Sequence, residues 1–357
     1  MAIKKSFIWL FMLCMMFSLS VSMVWANSPE ISGDTHKVMK TSVSSPDGKV
    51  NLDFHLTDEG EPQYEVSYGN HNLIEPSSLG FQFKEQAPMK NNFEIVNTSV
   101  KTFNEIWKPV WGEKKQIKNH YKQLTVHLQE KDEPNRKMNI EFRVFDDGVG
   151  FRYVLPEQQN LDQNLQITSE DTEFRFSDNN TSWWIPNDWD SYEYNYTKTP
   201  LSEVDEVSTP FTMKTPDGVH LTIHEAALID YAGMALKAVD GEENTLKSHF
   251  APWPNSDVKV KKDDLPVETP WRTIEIGEDA GDLVESDMIL NLNEPSAIED
   301  TSWIEPMKYV GVWWEMISGK STWSSGEKHG ATTENAKRYI DFAPDYDLDE
   351  VVQYAKR

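Results

Sequence analysis

Apolar and polar residues alternate along most of this chain with a period of two. After the turn sequence SSPDGK (44–49), KVNLDFHL places Val50, Leu52, Phe54 and Leu56 on one face. The same alternation recurs in QYEVSYG (63–69), LGFQFK (79–84), KQLTVHLQ (122–129) and MNIEFRVFDDGVGFRYVL (138–155). In the last of these, Asp146-Asp147-Gly148 interrupts two alternating runs, as the turn of a hairpin does. The pattern continues through EFRFSD (173–178), GVHLTIHEAAL (218–228) and WRTIEIGED (271–279). Many short strands separated by turn signals predict a mainly β chain built as a sandwich.

A Pro- and Asn-rich stretch from Asn291 to Pro306 ends this regime and reads as an inter-domain linker. Beyond it the pattern becomes strand, loop, helix. YVGVWW (309–314) reads as a barrel strand that delivers Trp313, Trp314 and Glu315 to the loop at its C-terminal end. TTENAKRYIDFA has helical spacing at Ala336, Tyr339, Ile340 and Ala343, with Thr332 or Thr333 as N-cap. Asp347 with Glu350 forms a capping box ahead of Val351, Val352, Tyr354 and Ala355, which predicts a second helix. Only Pro344, Asp345 and Tyr346 separate the two helices, too few residues for the strand that a β/α barrel places between them. The expectation is therefore a β/α unit of a parallel sheet or barrel that is internally shortened, in a chain that stops at Arg357 inside a helical pattern.

Composition changes this picture at the N-terminus. Lys4 and Lys5 lead an apolar run that closes on Val24-Trp25-Ala26, the pattern of a signal peptide cut after Ala26. Cys14, the one cysteine, lies inside that leader, so the mature chain has no disulfide and relies on a packed core. This suits a periplasmic or secreted bacterial protein with no stable membrane association after cleavage. The formal charge is −25, and two units more negative once Lys4 and Lys5 leave with the leader. Such a surface repels nucleic acid and anionic membranes and fits a neutral substrate or a bound cation.

Candidate chemistry concentrates in two places. WWIPNDWDSYEYNY (183–196) gathers tryptophans, tyrosines and carboxylates, which either stack on sugar rings and bind hydroxyls or cations, or form an aromatic sandwich edge with solvated acids. Trp313, Trp314 and Glu315 stand where barrel active sites are built, or form a hydrophobic rim. His329 either hydrogen-bonds a ligand or braces its loop. His224-Glu225 lacks a second histidine at HExxH spacing, which disfavours zinc. No Gly-rich phosphate loop, GxSxG elbow or nucleophilic cysteine is present.

Several stretches together resemble glycoside hydrolase family 97, the bacterial periplasmic α-glucosidases and α-galactosidases: FRVFDDGVGFRY, KPVWGE (108–113), SYEYNYTKTPL (191–201), IHEAALIDYAGMAL (223–236), TPWRTIEIG (269–277), and YVGVWWEM with HGATTENAKRYIDFA (329–343). The resemblance implies a β-super-sandwich over residues 27–295 and the start of a catalytic (β/α)8 barrel over 305–357, truncated and internally shortened. It implies a Ca²⁺ ion held by glutamates, of which Glu193 in SYEYNY matches the one contributed by the sandwich. It implies an α-linked oligosaccharide substrate, with Trp313, Trp314 and His329 as substrate-binding positions. No residue matches the catalytic acid, base or nucleophile. Inversion would accompany glucosidase activity and retention galactosidase activity, and a non-catalytic carbohydrate-binding sandwich is the alternative.

Overall fold

The computed structural model describes residues 40–352, so the leader expected over residues 1–26 and the chain beyond Val352 lie outside the described residues. Two antiparallel sheets dominate. One has eight strands, in the order Thr41–Ser44, Val50–Leu56, Pro62–Tyr68, His71–Ser78, Glu173–Phe176, Thr245–His249, Ala235–Ala238 and Glu206–Ser208. The other has ten and is centred on His220–Ala226, Trp271–Gly277, Gly148–Leu155, Lys137–Phe145 and Ile117–Glu130, with Phe93–Trp107 at its edge. A three-stranded sheet of Phe81–Phe83, Leu165–Glu170 and Val260–Lys262 stands beside them.

The alternation read from sequence becomes the core. Val50, Leu52 and Phe54 are fully buried, and Phe54 and Tyr64 of the first sheet meet Phe142 and Phe151 of the second at ring separations of 5.9 and 4.9 Å. Asp146-Asp147 forms the tip of the hairpin between Lys137–Phe145 and Gly148–Leu155, as predicted. The long strand Phe93–Trp107 was not predicted, because most of its residues are exposed and an edge strand needs no apolar face.

Strand Trp271–Gly277 is buried along its whole length because both of its faces are covered. Ile274 and Ile276 enter the sandwich core, whereas Trp271 packs outward against Tyr121, Phe145, Met288 and Leu292. That outer cover is formed by two short helices, α1 (Ala280–Glu285) and α2 (Met288–Asn291), and the residue that follows them. Asp279 starts α1 through a capping box with Asp282, at the end of the stretch WRTIEIGED that the sequence pattern reads as strand. The glycines of FDDGVGF make room for this cover. A Cβ on Gly150 would lie 2.6 Å from Leu292, and one on Gly148 would lie 2.3 Å from the Ile274 carbonyl.

Residues between α2 and Lys308 form neither helix nor strand, and the Trp111 indole N–H donates to the Ile304 carbonyl within this stretch. After it, two elements differ from expectation. The strand over YVGVWW spans only Tyr309–Gly311, and Trp313–Ile317 forms a helical turn, α3. Helix α4, Thr333–Asp345, is where periodicity placed it, capped by Thr332, whose hydroxyl accepts from the Asn335 N–H at 3.2 Å.

The second helix expected from Asp347 is instead a strand, Glu350–Val352, paired in parallel with Tyr309–Gly311. Asp347 adopts a left-handed backbone conformation (φ 53°), so it cannot begin a helix there. Its neighbour Asp349 clasps Lys308: the Lys308 N–H donates to the Asp349 carboxylate at 2.9 Å and the Asp349 N–H to the Lys308 carbonyl at 2.8 Å. The β-branched Val351-Val352 pair then adds to the strand. This strand removes the helix count as a ground for internal shortening, which the resemblance to family 97 supports separately. What stands is a mainly β chain in which a sandwich is followed by a short β/α segment of a barrel. Among the described residues, no helix is long and apolar enough to cross a membrane.

Candidate functional site

Three groups of side chains bear on function. The first is the 185–196 loop. Trp189, Tyr192, Tyr194 and Tyr196 are all exposed, and Trp189 lies 5.5 Å from the His249 ring. The loop is held by its own polar groups. Asn187 donates to Glu206 at 2.6 Å, and the Tyr194 hydroxyl donates to Asp188, which lowers the Asp188 pKa. Glu193 is exposed, and its backbone N–H donates to the Ser191 hydroxyl at 3.1 Å.

The second group surrounds α3. Trp313 and Trp314 are exposed and lie 6.5 Å apart, so they present apolar faces to solvent at the start of the barrel segment. Glu315, expected at a ligand-facing rim, is buried instead. It accepts from Lys320 Nζ at 2.8 Å, Asn335 Nδ2 at 3.0 Å and Ser321 Oγ at 3.3 Å, and it also accepts from the Arg338 guanidinium. Burial pushes its carboxyl up, but the donors from Lys320, Arg338 and Asn335 outweigh burial and hold it at about 2. A carboxylate so fully engaged ties α3 to α4 and is not available to accept a substrate proton. His329 is half-buried in the loop that Thr322 and His329 bridge, with its Nδ1 unpartnered.

A test follows for the β/α segment. Glu315 is depressed in the folded state, so its contribution is complete above the ordinary carboxylate value of 4.5 and is lost as pH falls toward 2. Glu315→Ala is expected to cost about 1–2 kcal/mol of local stability at pH 7. It should raise the hydrogen-exchange rate of α4, and this difference from wild type should shrink on acidification.

The third group was not anticipated. Arg272 is fully buried and directly opposite Glu225 in the strand register. Its Nη1 donates to Glu225 at 2.7 Å, while Nε and Nη2 donate to the two oxygens of Glu170 at 2.8 and 2.7 Å. Thr172 and Tyr231 hydroxyls also donate to Glu170, at 2.8 and 3.1 Å, and Glu225 accepts from the Met234 N–H at 2.9 Å. Burial works against the guanidinium, yet Glu170 and Glu225 outweigh it and hold the Arg272 pKa above its usual value. The sequence signal was an arginine on the inward face of WRTIEI, in register with Ile274 and Ile276. Glu225 is thus engaged by a structural partner.

Among the described residues, no hydrogen bond, ion pair or aromatic contact joins Glu193 to Trp313, Trp314 or His329, and no group of three or more His, Cys, Asp or Glu side chains is placed to hold a metal. Calcium takes six to eight oxygen ligands. Glu193 supplies one candidate carboxylate, so the described residues do not by themselves form a calcium site.

The model of the glycosyl-hydrolase 97 N-terminal region matches residues 43–295, and that of glycoside hydrolase 97 matches residues 313–356. The chain belongs to glycoside hydrolase family 97. Among solved structures, a family 97 enzyme from Pseudoalteromonas sp. strain K8 in complex with acarbose is 44% identical with a TM-score of 0.81, over 88% of this chain and 47% of its own. The retaining alpha-galactosidase of Bacteroides thetaiotaomicron is 24% identical over 87% of this chain and 49% of its own length. A beta-arabinopyranosidase structure, 24% identical with a TM-score of 0.73 over 87% of this chain and 50% of its own, shares the fold. This family 97 chain thus spans about half the length of the relatives it matches.

Proposed function

We propose that this chain is the sugar-facing N-terminal half of a calcium-dependent α-glucosidase architecture acting on α-linked gluco-oligosaccharides. The observation that carries the reading is the 44% identity to a family 97 enzyme solved with acarbose and with panose, an α-linked trisaccharide of glucose. The relatives named as alpha-galactosidases stand at 24%. The exposed Trp313 and Trp314 give such a sugar apolar faces on which its C–H groups can stack. Glu193 serves as one calcium ligand in the longer architecture, and the remaining ligands and the catalytic carboxylates come from elsewhere. Residues 1–26 direct the protein to the periplasm or out of the cell, so its purified mature N-terminus should read Asn27.

Glycosidic cleavage needs two carboxylates flanking the scissile bond, or an acid with a metal-assisted partner. Glu315 is consumed by its brace and Glu193 stands alone, so the chain by itself binds without turning over. The expected result is panose binding by calorimetry that Trp314→Ala weakens by about ten-fold, with melibiose showing no Trp314-dependent component. Hydrolysis of p-nitrophenyl α-glucoside should match a heat-killed control with or without calcium. Trp314-dependent binding of melibiose in preference to panose would assign the galactosidase reading, and calcium-dependent turnover would overturn the binding-only role.

A further inference from the structure

We propose a second saccharide-binding site on the sandwich, centred on Trp253 and distinct from the Trp313–Trp314 pair, that takes a neutral α-linked oligosaccharide. Trp253 is 49% exposed in the sequence PWPNS. It does not stand on a loose loop. Pro254 and Asn255 fill the middle of a turn closed by the Ser256 N–H on the Trp253 carbonyl at 3.1 Å, with Asn255 left-handed at φ 57°. The Trp253 N–H donates to the Val258 carbonyl at 2.8 Å, and Val258 is fully buried. The backbone that carries the ring is therefore fixed before any ligand arrives, which lowers the entropic cost of binding at this turn.

Two surface cavities flank the ring, of about 300 and 580 Å³, and both are lined by Trp253, Asp230 and Lys261. Lys261 Nζ sits over one face of the indole, 4.7 Å from its centroid, which leaves the other face for a sugar ring. The wall opposite is also anchored. Lys262 Nζ donates to both the carbonyl and the carboxylate of Asp230, whose neighbour Tyr231 is hydrogen-bonded to Glu170 in the buried Arg272 network. Asp230 itself is left-handed (φ 48°), a conformation this loop maintains because both sides of it are tied down.

Charge decides the class of ligand. The chain carries 59 acidic and 34 basic residues, yet three lysines (259, 261 and 262) line these cavities beside four acids (230, 263, 264 and 268). An anion would meet the acids and a cation would meet the lysines. A neutral polyhydroxylated ring can instead accept from the ammonium groups and donate to the carboxylates while its C–H face covers the indole. The side chains of Asp263 and Asp264 are exposed and make no hydrogen bond or ion pair among the described residues, which leaves their oxygens free for hydroxyls. A site of this kind holds a long chain on the enzyme without touching the reacting bond.

The test uses the full chain, titrated with maltoheptaose by calorimetry and followed by tryptophan fluorescence. Trp253→Ala should weaken binding about ten-fold, and Trp253→Phe should retain most of it. Asp263→Asn with Asp264→Asn, both on the surface, should weaken it several-fold, which decides the matter if Trp253→Ala fails to fold. The Trp253-dependent loss should be the same in a Trp314→Ala background, so failure here is separable from failure at the barrel segment. Wild-type affinity in both the Trp253→Ala and the double Asp variants, or no binding of maltoheptaose by the wild-type chain, overturns the proposal.

Discussion

Arg272→Met is expected to lower the unfolding free energy by about 3–5 kcal/mol at neutral pH, the largest effect of any single substitution considered, because it strands two buried carboxylates. Arg272 and Glu170 are wholly inaccessible and Glu225 nearly so. Without the guanidinium, Glu170 keeps two hydroxyl donors and Glu225 one backbone donor, too little to hold two charges out of water. The loss has a sign in pH. Stranded carboxylates titrate above their usual range, so the deficit of the variant should be greatest at pH 8 and should shrink as acidification neutralises them. Urea denaturation at pH 5 and pH 8 measures this. Replacing Arg272, Glu170 and Glu225 together by apolar residues of similar volume should recover most of the lost stability. An unchanged midpoint in Arg272→Met would mean that the network is not what joins the ten-stranded sheet to the three-stranded one.

Glu275→Gln is expected to do the reverse and stabilise the protein, by up to about 3 kcal/mol at pH 8. Glu275 faces outward on Trp271–Gly277, beneath the α1–α2 cover, and is 8% exposed. Burial first, and the nearby Asp147 second, push its carboxyl up to about 7 from the usual 4.5. A carboxyl raised in the folded state binds its proton more tightly there than in the unfolded chain. The wild-type protein therefore loses stability as pH rises from 4.5 to about 7, and the penalty is constant above that. Glutamine carries no charge, so the variant should match wild type near pH 4.5 and exceed it at pH 8. Asp147, itself raised by burial although Ser286 donates to it at 2.7 Å, makes the same region costly to ionise. A carboxylate near neutral pH often marks a catalytic acid. Glu275 lies under the helical cover, and it does not line the neighbouring surface cavity, so its raised value is a property of packing.

Much of the sandwich was legible in advance because its strands obey local rules. Alternation at Val50, Leu52 and Phe54 works without knowledge of the partner sheet, since a strand with one buried face must repeat every second residue. The Asp146-Asp147-Gly148 turn and the Thr332 cap are likewise short-range chemistry. Prediction failed where a residue's role depends on a distant partner. Val351 and Val352 follow a sequence that reads as a helix start, yet they join Tyr309–Gly311 some forty residues away through the Lys308–Asp349 clasp. Glu315 looked like a rim acid until Arg338 and Asn335 came round from α4 to hold it.

The same division applies to function. Family membership was carried by linear motifs such as FDDGVGF, TPWRTIEIG and the aromatic loop around Glu193, which are read along the chain without knowledge of what each side chain meets. Which carboxylates are engaged and which are free was decided only by tertiary structure. Burial and hydrogen bonding come from segments far apart in the chain, as when Glu170, Glu225 and Arg272 meet in the interior while Asp263 and Asp264 remain exposed beside Trp253. A pattern of residue types records what a side chain can do; the groups that the fold brings against it determine what it does.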